Sequence, residues 1–273
     1  MNRQQRREIA EDTVEILERG FYENSAGDRV DIGEWIERVR ANTEDYPPEF
    51  DIDIPEGTEG MPTIDIEVTN ETTIAACRRL ADDGIEPMAL NFASATSPGG
   101  GFLSGASAQE ESLARASGLY ASLLESEMYS YQKQRDMPMY ADWTIYSPEV
   151  PVFRRDDGSL LDEPFSTTFV TSPAVNVDRV RRNAPAREDE VEAVMDERID
   201  RVLGIALEHG HNHLVLGAWG CGIFRNDPQV ISELFREALD GPFRGRFDSI
   251  VFAIAAKPGE PNLQAFKERF AGG

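Results

Sequence analysis

Short β-rich runs alternate with helical segments along most of the chain, and this alternation limits the possible folds more than any other feature. The predicted strands cover residues 63–68, 87–92, 143–153, 166–173, 213–219 and 249–255. The predicted helices cover residues 71–83, 108–127, 188–209, 228–240 and 262–270. Such a pattern is typical of a central sheet with helices on both faces. We therefore expect a three-layer α/β/α fold.

The first sixty residues have a different pattern. Helical spacing of apolar residues runs from 4 to 19, and a second helix is predicted at 32–39. Residues 42–62 are rich in proline, glycine and acidic side chains, which is typical of a linker. The expected organisation is an N-terminal helical extension (1–60) packed on a main domain (61–273), in one structural unit.

The chain is strongly acidic. It has 50 Asp and Glu against 27 Lys and Arg, a net charge of −23, and only three of its basic residues are lysines. Its 40% hydrophobic residues and 14 phenylalanines nevertheless indicate a real core. Two interpretations compete: an ordinary acidic protein, or a halophilic protein whose carboxylate surface is suited to high salt.

Composition also argues against several classes of protein. Such a surface repels DNA and anionic membranes, so we expect neither as a partner. Cys77 and Cys221 have no disulfide or metal-site spacing, and no apolar run reaches membrane-spanning length. The first residues lack an apolar signal-peptide core. We expect a reduced, cytoplasmic protein, a monomer without metal or cofactor.

Two glycine-rich segments each follow a predicted strand. Gly99, Gly100 and Gly101 come after strand 87–92, and GAWGCGIFRNDP (217–228) comes after strand 213–219. Open α/β sheets bind ligands at the carboxyl ends of strands, and glycine loops can present several N–H groups to one anion. A single GGG run could equally be a flexible surface turn. Two such loops favour a bound diphosphate, although neither matches the dinucleotide-binding or P-loop motif.

Glu110 and Glu111 begin the helix that follows the first glycine loop. They could simply complement the positive end of the helix, or they could provide a general acid. Adjacent helical residues point about 100° apart, so the two carboxyls cannot flank one bond as an opposed glycosidase pair does. If both act, one carboxyl catalyses and the other positions the substrate.

Other side chains near these loops have less specific patterns. Asn91 at the strand end could hold ribose hydroxyls or belong to a turn. Phe224 could pack against a sugar or lie in the core. His209, His211 and His213 alternate at a helix-to-strand junction, where their spacing favours a turn over a metal site.

The combination of GGG, a seven-residue spacer and QEE at 109–111 resembles the signature of poly(ADP-ribose) glycohydrolases, which have a macrodomain fold with a mixed sheet. NFASATSPGGGFLSGASAQEESL, YSPEVPVFR and GAWGCGIFRNDP are similar to the microbial-type branch in particular. The resemblance covers roughly residues 60–256. It implies a catalytic domain at 61–273 that hydrolyses ribose–ribose α(1″→2′) O-glycosidic bonds, releasing ADP-ribose from chain ends.

The resemblance also implies a role for each site residue. Glu111 is the general acid that protonates the leaving 2′-oxygen, and it then deprotonates the attacking water. Glu110 holds ribose hydroxyls, and Asn91 contacts the terminal ribose. The other implied contacts are Gln109, which completes the motif; Gly99, Gly100, Gly101, Gly220, Cys221, Gly222 and Ile223, which bind the diphosphate; Phe224, which packs on ribose; and Ile74, a candidate for the adenine end.

Two other functions stay open from the sequence. A macrodomain can bind ADP-ribose without hydrolysing it, although such a reader needs only the loops and not the two glutamates. The same pocket could also accept a mono-ADP-ribosyl group on protein or nucleic acid.

Overall fold

The computed structural model describes residues 1–55, 63–135 and 137–271. The strands are β1 (Phe21–Glu23), β2 (Arg29–Asp31), β3 (Glu44–Tyr46), β4 (Asp65–Thr69), β5 (Met88–Phe92), β6 (Thr144–Arg154), β7 (Leu160–Ser172), β8 (His213–Leu216) and β9 (Ser249–Ala253). The α-helices are α1 (Arg3–Arg19), α2 (Gly33–Asn42), α3 (Thr73–Asp82), α4 (Gln109–Ala116), α5 (Leu119–Leu123), α6 (Met128–Gln134), α7 (Val177–Asn183), α8 (Val191–Glu208), α9 (Pro228–Asp240) and α10 (Pro261–Phe270).

One mixed sheet contains seven of these strands in the order β3-β6-β7-β5-β8-β9-β4. The strands from β7 to β4 pair in parallel, whereas β6 pairs antiparallel with both β3 and β7. Because parallel neighbours end at the same edge of a sheet, the loops after β4, β5, β7, β8 and β9 converge there. The expected three-layer α/β architecture is confirmed.

Side chains of the central strands are buried on both faces. In β5, Met88 and Leu90 belong to the core formed with α8 and α9, and Ala89 belongs to the core formed with α3 and α4. Strand residues alternate between faces. Burial of both faces therefore explains why β5 reads as a nearly continuous apolar run.

The predicted helix at 108–127 is wrong in one respect, because it is broken at Ser117. Ser117 is extended and forms an isolated bridge with Val152, and the Gly118 N–H donates to the Pro151 carbonyl. A Cβ at Gly118 would lie 2.6 Å from Ile36 Cδ1, so α2 and β6 approach the chain closely there. No helix of the described chain is both long and apolar enough to cross a bilayer.

The N-terminal segment is more than a helical extension. It also forms the hairpin β1–β2, and β3 extends the edge of the main sheet through β6. The proposed boundary between residues 60 and 61 lies outside the described residues, as does part of the predicted linker. The described contacts nevertheless connect this segment directly to the rest of the protein.

Helix α1 is attached to the core by a buried arginine. Arg154 is 4% exposed, and its guanidinium donates to the Asp12 carboxylate, to Thr13 Oγ1 and to the Gly158 carbonyl. Thr13 Oγ1 in turn donates to the Arg115 carbonyl of α4 at 2.7 Å. These bonds connect α1 to the helix that begins with the two glutamates.

The hairpin β6–β7 bends toward the carboxyl edge of the parallel strands. Its register shifts between Ser147 and Val150, and Glu149 there has a φ of 48°. Such a bulge bends and twists a strand pair. The tip consequently reaches the loop after β4, where Thr72 Oγ1 donates to Asp156 Oδ2 at 2.6 Å.

Candidate active site

The converging loops enclose a cavity of about 740 Å³. Its size is suitable for a drug-sized or nucleotide-sized ligand. Residues that follow five parallel strands contribute to its wall, and both glutamates line it. The main lining residues are Thr72, Thr73, Ile74, Phe92, Ser94, Gly100, Gly101, Gln109, Glu110, Glu111, Asp156, Ala174, Ala218, Gly220, Gly222, Ile223, Phe224, Ile254 and Asn262.

Glu110 is a buried carboxyl at the base of this cavity. It is 3% exposed, and its Oε2 accepts the Ser94 N–H at 2.7 Å. The pKa of Glu110 is raised to about 8, chiefly by burial and also by the neighbouring Glu111 charge, against the lowering effect of the Ser94 N–H. Glu110 is therefore largely protonated at neutral pH.

Glu111 is half-buried, and both of its carboxylate oxygens are held by backbone N–H groups. Oε1 accepts from Gly101 and Oε2 accepts from Ala108, each at 2.9 Å. Glu111 is the third residue of α4, from which a glutamate can reach back to the N-cap N–H. Helix start and glycine loop together fix the orientation of this carboxyl.

Gly100 permits the loop to lie against both carboxyls. Its φ is +59°, and a Cβ there would lie 2.5 Å from Glu111 Oε1 and 2.9 Å from Glu110 Oε2. Any other residue would meet both a left-handed backbone and a steric clash. The need for glycine at this position is thus explained by the protein's own carboxyls.

The amides of the first glycine loop serve those carboxyls in this structure. The Gly101 N–H donates to Glu111, the Gly100 N–H closes a turn on the Ser97 carbonyl, and the Gly99 N–H interacts with Glu110. The sequence predicted that Gly99, Gly100 and Gly101 present their N–H groups to a diphosphate. In this structure those N–H groups instead have partners within the protein. Two of the loop's N–H groups therefore bind the protein's own carboxyl groups, which lie ten or eleven residues later in the chain.

The second glycine loop is organised by Asn226, which the sequence did not single out. Its Nδ2 donates to the Val175 and Gly220 carbonyls at 2.8 and 3.2 Å. A Cβ at Gly220, where φ is +72°, would lie 2.4 Å from that nitrogen. Within the described chain, the backbone N–H groups of Gly222 and Ile223 have no hydrogen-bond partner. These amides are available to a ligand.

Asn91 lies behind the carboxyls, within the protein, whereas Gln109 is partly buried at the cavity wall and its side chain bonds to the protein. Asn91 is fully buried, and its Nδ2 donates to Thr171 Oγ1 at 3.1 Å and reaches Glu110 Oε1 at 3.5 Å. Gln109 donates to Thr73 and to the Leu90 carbonyl and accepts from the Phe92 N–H. Gln109 therefore joins α4 to β5 and α3, and Asn91 supports Glu110 instead of facing the cavity.

The other predicted residues are divided between the cavity and its surroundings. Phe224 and Ile74 line the cavity, and Ile223 is 75% exposed at its mouth. Cys221 does not line it, and burial raises the pKa of its thiol, which is the opposite of an activated nucleophile. The sequence did not identify Ser94, Thr72 or Asp156, because their positions depend on contacts between distant segments.

The three alternating histidines do not line the cavity, and two of them, His209 and His211, share Tyr146 as a partner. His209 contacts Tyr46, His211 contacts Tyr146, and His213 contacts Ser249. Burial lowers the pKa of His211 to about 4. In the described ranges, no group of three or more His, Cys, Asp or Glu is arranged to hold a metal ion.

Fold and site together define a macrodomain-like α/β protein with a strand-edge cavity and an adjacent pair of carboxyls at a glycine loop. The family model for the microbial-type PARG catalytic domain, where PARG denotes poly(ADP-ribose) glycohydrolase, matches residues 10–155. The chain belongs to this family of glycohydrolases. No curated protein matches the chain.

Solved structures of bacterial relatives agree with this assignment. The crystal structure of poly(ADP-ribose) glycohydrolase from Thermomonospora curvata is 46% identical, with a TM-score of 0.91, and the match covers 98% of this chain and 100% of that one. The same enzyme bound to the inhibitor ADP-HPD matches with a TM-score of 0.89 and the same identity and coverage. The Deinococcus radiodurans enzyme in complex with ADP-ribose is 40% identical, with a TM-score of 0.78, over 86% of this chain and 96% of that one.

The position of Gly100 predicts a specific effect of one methyl group. Gly100→Ala is expected to displace Glu111 and lower kcat/KM on poly(ADP-ribose) by about 100-fold or more, since small misplacements of catalytic groups are that costly. Gly84→Ala is the matched control, because Gly84 has a φ of +78° and open space around it. Alanine at either position is strained by a left-handed backbone. Urea unfolding of the two variants measures the loss of stability that this shared strain causes. Equal activity losses in the two variants would contradict the role assigned to the carboxyl contact.

The buried carboxyl of Glu110 predicts a pH-dependent stability difference. Its pKa rises from 4.5 to about 8 on folding, so its favourable contribution is complete below pH 4.5 and is lost as pH rises toward 8. Glutamine cannot ionise, so Glu110→Gln should gain stability relative to wild type across that range, by up to roughly 4–5 kcal/mol. Urea unfolding of both proteins from pH 4.5 to 9 measures this, with the exposed Glu125→Gln as control. A difference that does not change with pH would show that burial leaves this carboxyl unshifted.

Proposed function

We propose that the protein releases ADP-ribose from the ends of poly(ADP-ribose), with Glu111 as general acid and base. The observation that carries this proposal is the placement of two adjacent carboxyls against one glycine loop at the wall of a nucleotide-sized cavity. Membership of the family of poly(ADP-ribose) glycohydrolases supports the reaction, and the ADP-ribose complex of the Deinococcus radiodurans relative supports the ligand.

Glu111 is better placed than Glu110 to exchange protons with substrate and water. It is half-buried and lines the open cavity, whereas Glu110 is 3% exposed. The Gly101 and Ala108 N–H groups hold its carboxyl in one orientation. An acid must lie within hydrogen-bond reach of the atom that it protonates, so this fixed geometry serves general acid catalysis.

The bond breaks between C1″ of the terminal ribose and the 2′-oxygen of the next unit. Glu111 gives its proton to the 2′-oxygen as the bond electrons move onto that oxygen, leaving an oxocarbenium ion at C1″. Water attacks C1″, and the Glu111 carboxylate takes the proton released. The products are ADP-ribose and a polymer with one unit fewer and a new 2′-hydroxyl.

Glu110 has a different part in this scheme. Because its pKa is raised to about 8, it keeps its proton at neutral pH and can donate a hydrogen bond to a ribose hydroxyl. A protonated Glu110 also limits the repulsion between two carboxyls on adjacent residues. We assign the diphosphate to the second glycine loop, whose Gly222 and Ile223 amides are unpaired among the described residues.

Glu111→Gln is the direct test of this assignment. Polymer hydrolysis should fall by at least about 1,000-fold because the acid and base are lost, while binding of ADP-ribose, measured by calorimetry, should stay within a few-fold. Glu127→Gln, at an exposed position outside the cavity, is the matched control. Tight ADP-ribose binding by wild type without turnover of polymer would instead indicate a reader. If the protein hydrolyses mono-ADP-ribosylated protein but not the polymer, it is a hydrolase of mono-ADP-ribosyl groups.

We further propose that the protein is cytoplasmic and monomeric, and the carboxylate-rich surface supports a third part of the proposal, adaptation to high salt. A net charge of −23 makes the folded state repel itself, and salt screens that repulsion. The free energy of unfolding should therefore rise between dilute buffer and molar KCl. Urea is the suitable denaturant because it is uncharged and leaves ionic strength unchanged. Equal stability in both solutions would contradict the halophilic interpretation.

A further inference from the structure

A cluster of arginines occupies the first turns of α1, beside the turn that follows the first glycine loop. Arg3, Arg6 and Arg7 lie there, and the first turn contains no acidic residue. Cations at a helix N-terminus oppose the helix dipole, and like charges four residues apart, as Arg3 and Arg7 are, repel each other. Arg3 and Arg6 have structural partners, because they donate to the carbonyls of Ser104, Gly105 and Met1, whereas the Arg7 guanidinium contacts only Glu11, through an exposed ion pair, among the described residues.

The cluster faces an open depression of about 670 Å³ on the outer side of that turn. Its lining residues are Arg3, Gln4, Arg7, Leu103 and Ser104. Leu103 is 46% exposed, so the depression has an apolar part beside its two cations. An exposed arginine pair beside an exposed leucine suits a ligand that carries both phosphates and a base.

Both arginines keep donors available at this surface. Arg3 uses its Nε to donate to the Ser104 carbonyl at 2.9 Å, which holds its guanidinium at the rim. Arg7 has one ion pair among the described residues, with Glu11 at 3.7 Å, and both side chains of that pair are at least half exposed. Such an exposed pair is weak and can be exchanged for a phosphate.

The same turn separates this depression from the active-site cavity. The Gly101 carbonyl accepts hydrogen bonds from the Ser104 and Ala106 N–H groups, which closes the turn. Gly101 itself lines the cavity and holds Glu111. A Cβ at Gly105 would lie 3.0 Å from both Arg3 Cγ and Arg7 Cγ, so the helix lies directly on the turn.

We propose that the depression lined by Arg3, Arg7 and Leu103 binds the ADP-ribose unit next to the scissile bond, on the polymer side. This inference rests on the proposed function, in which the terminal unit fills the cavity and the 2′-oxygen of the next unit lies at Glu111. That next unit must lie outside the cavity, near the turn that holds Glu111. Its diphosphate carries negative charge, and the arginine pair supplies a local positive field on an otherwise acidic surface.

Arg7 is the residue to test, because Arg3 also holds the turn. The turnover number kcat and the Michaelis constant KM are measured with two substrates. One is poly(ADP-ribose) of defined length, and the other is an ADP-ribose with a nitrophenyl group at C1″, a compound that lacks the neighbouring ADP-ribose unit. In Arg7→Gln, the ratio of kcat/KM for polymer to that for the nitrophenyl compound should fall about fivefold, mainly through KM, and further in Arg7→Glu. Arg244→Gln removes an exposed charge before β9, at the opposite edge of the sheet, and should leave the ratio unchanged.

An unchanged ratio in Arg7→Glu, or equal losses on both substrates, would overturn the subsite. Failure of the proposed function has a separate signature, which is the absence of polymer cleavage by wild type. Binding is therefore also measured in the Glu111→Gln background, where Arg7→Glu should weaken affinity for polymer but not for ADP-ribose. Equal polymer affinity with and without Arg7 would reject the subsite whether or not wild type cleaves the polymer.

Discussion

The contact between Gly100 and the two adjacent carboxyls is the constraint on which the site depends. The loop approaches so closely that a single Cβ would lie within 3 Å of both side chains. The approach is possible because the backbone of Gly99 and Gly100 is left-handed and because Gly101 and Ala108 donate to Glu111. Hydrogen bonds to a carboxyl in a partly desolvated site also fix its orientation before substrate arrives, which is how preorganised sites reduce the cost of reaching the transition state.

Much of this architecture follows from local sequence patterns. The central strands were predictable because burial on both faces gives them continuous apolar runs, as in β5. The two loops were predictable because glycines follow strand ends. The strands β1, β2 and β3 were not, since each is three residues long and too short to show a period. The break at Ser117 depends on its pairing with Val152, which no local pattern contains.

The roles of the loop amides were also beyond local patterns. A GGG run indicates that several N–H groups can converge on an anion, but it does not indicate which anion. Here the loop amides meet the protein's own carboxyl groups, those of Glu110 and Glu111, brought back by a turn whose closure depends on Gly101, Ser104 and Ala106. Burial of Asn91 and the three hydrogen bonds of Gln109 likewise come from the packing of α4 on β5 and α3. Sequence spacing identifies such residues as special without distinguishing support from contact with ligand.

The two glycine loops consequently have different physical characters. In the first loop, the Gly99 and Gly101 N–H groups donate to the side chains of Glu110 and Glu111, and these hydrogen bonds fix the loop. The second is held at its base by Asn226, but its tip has unpaired amides and an Ile223 that is 75% exposed. The Arg225 N–H donates to the Gly222 carbonyl and the Val177 N–H donates to the Phe224 carbonyl, so the backbone of this loop is held while the Gly222 and Ile223 amides stay unpaired among the described residues. Under the proposed function, this division fixes the Glu111 carboxyl before substrate arrives and leaves the amides of the second loop to the diphosphate, so that a protein of net charge −23 binds an anion through neutral backbone donors.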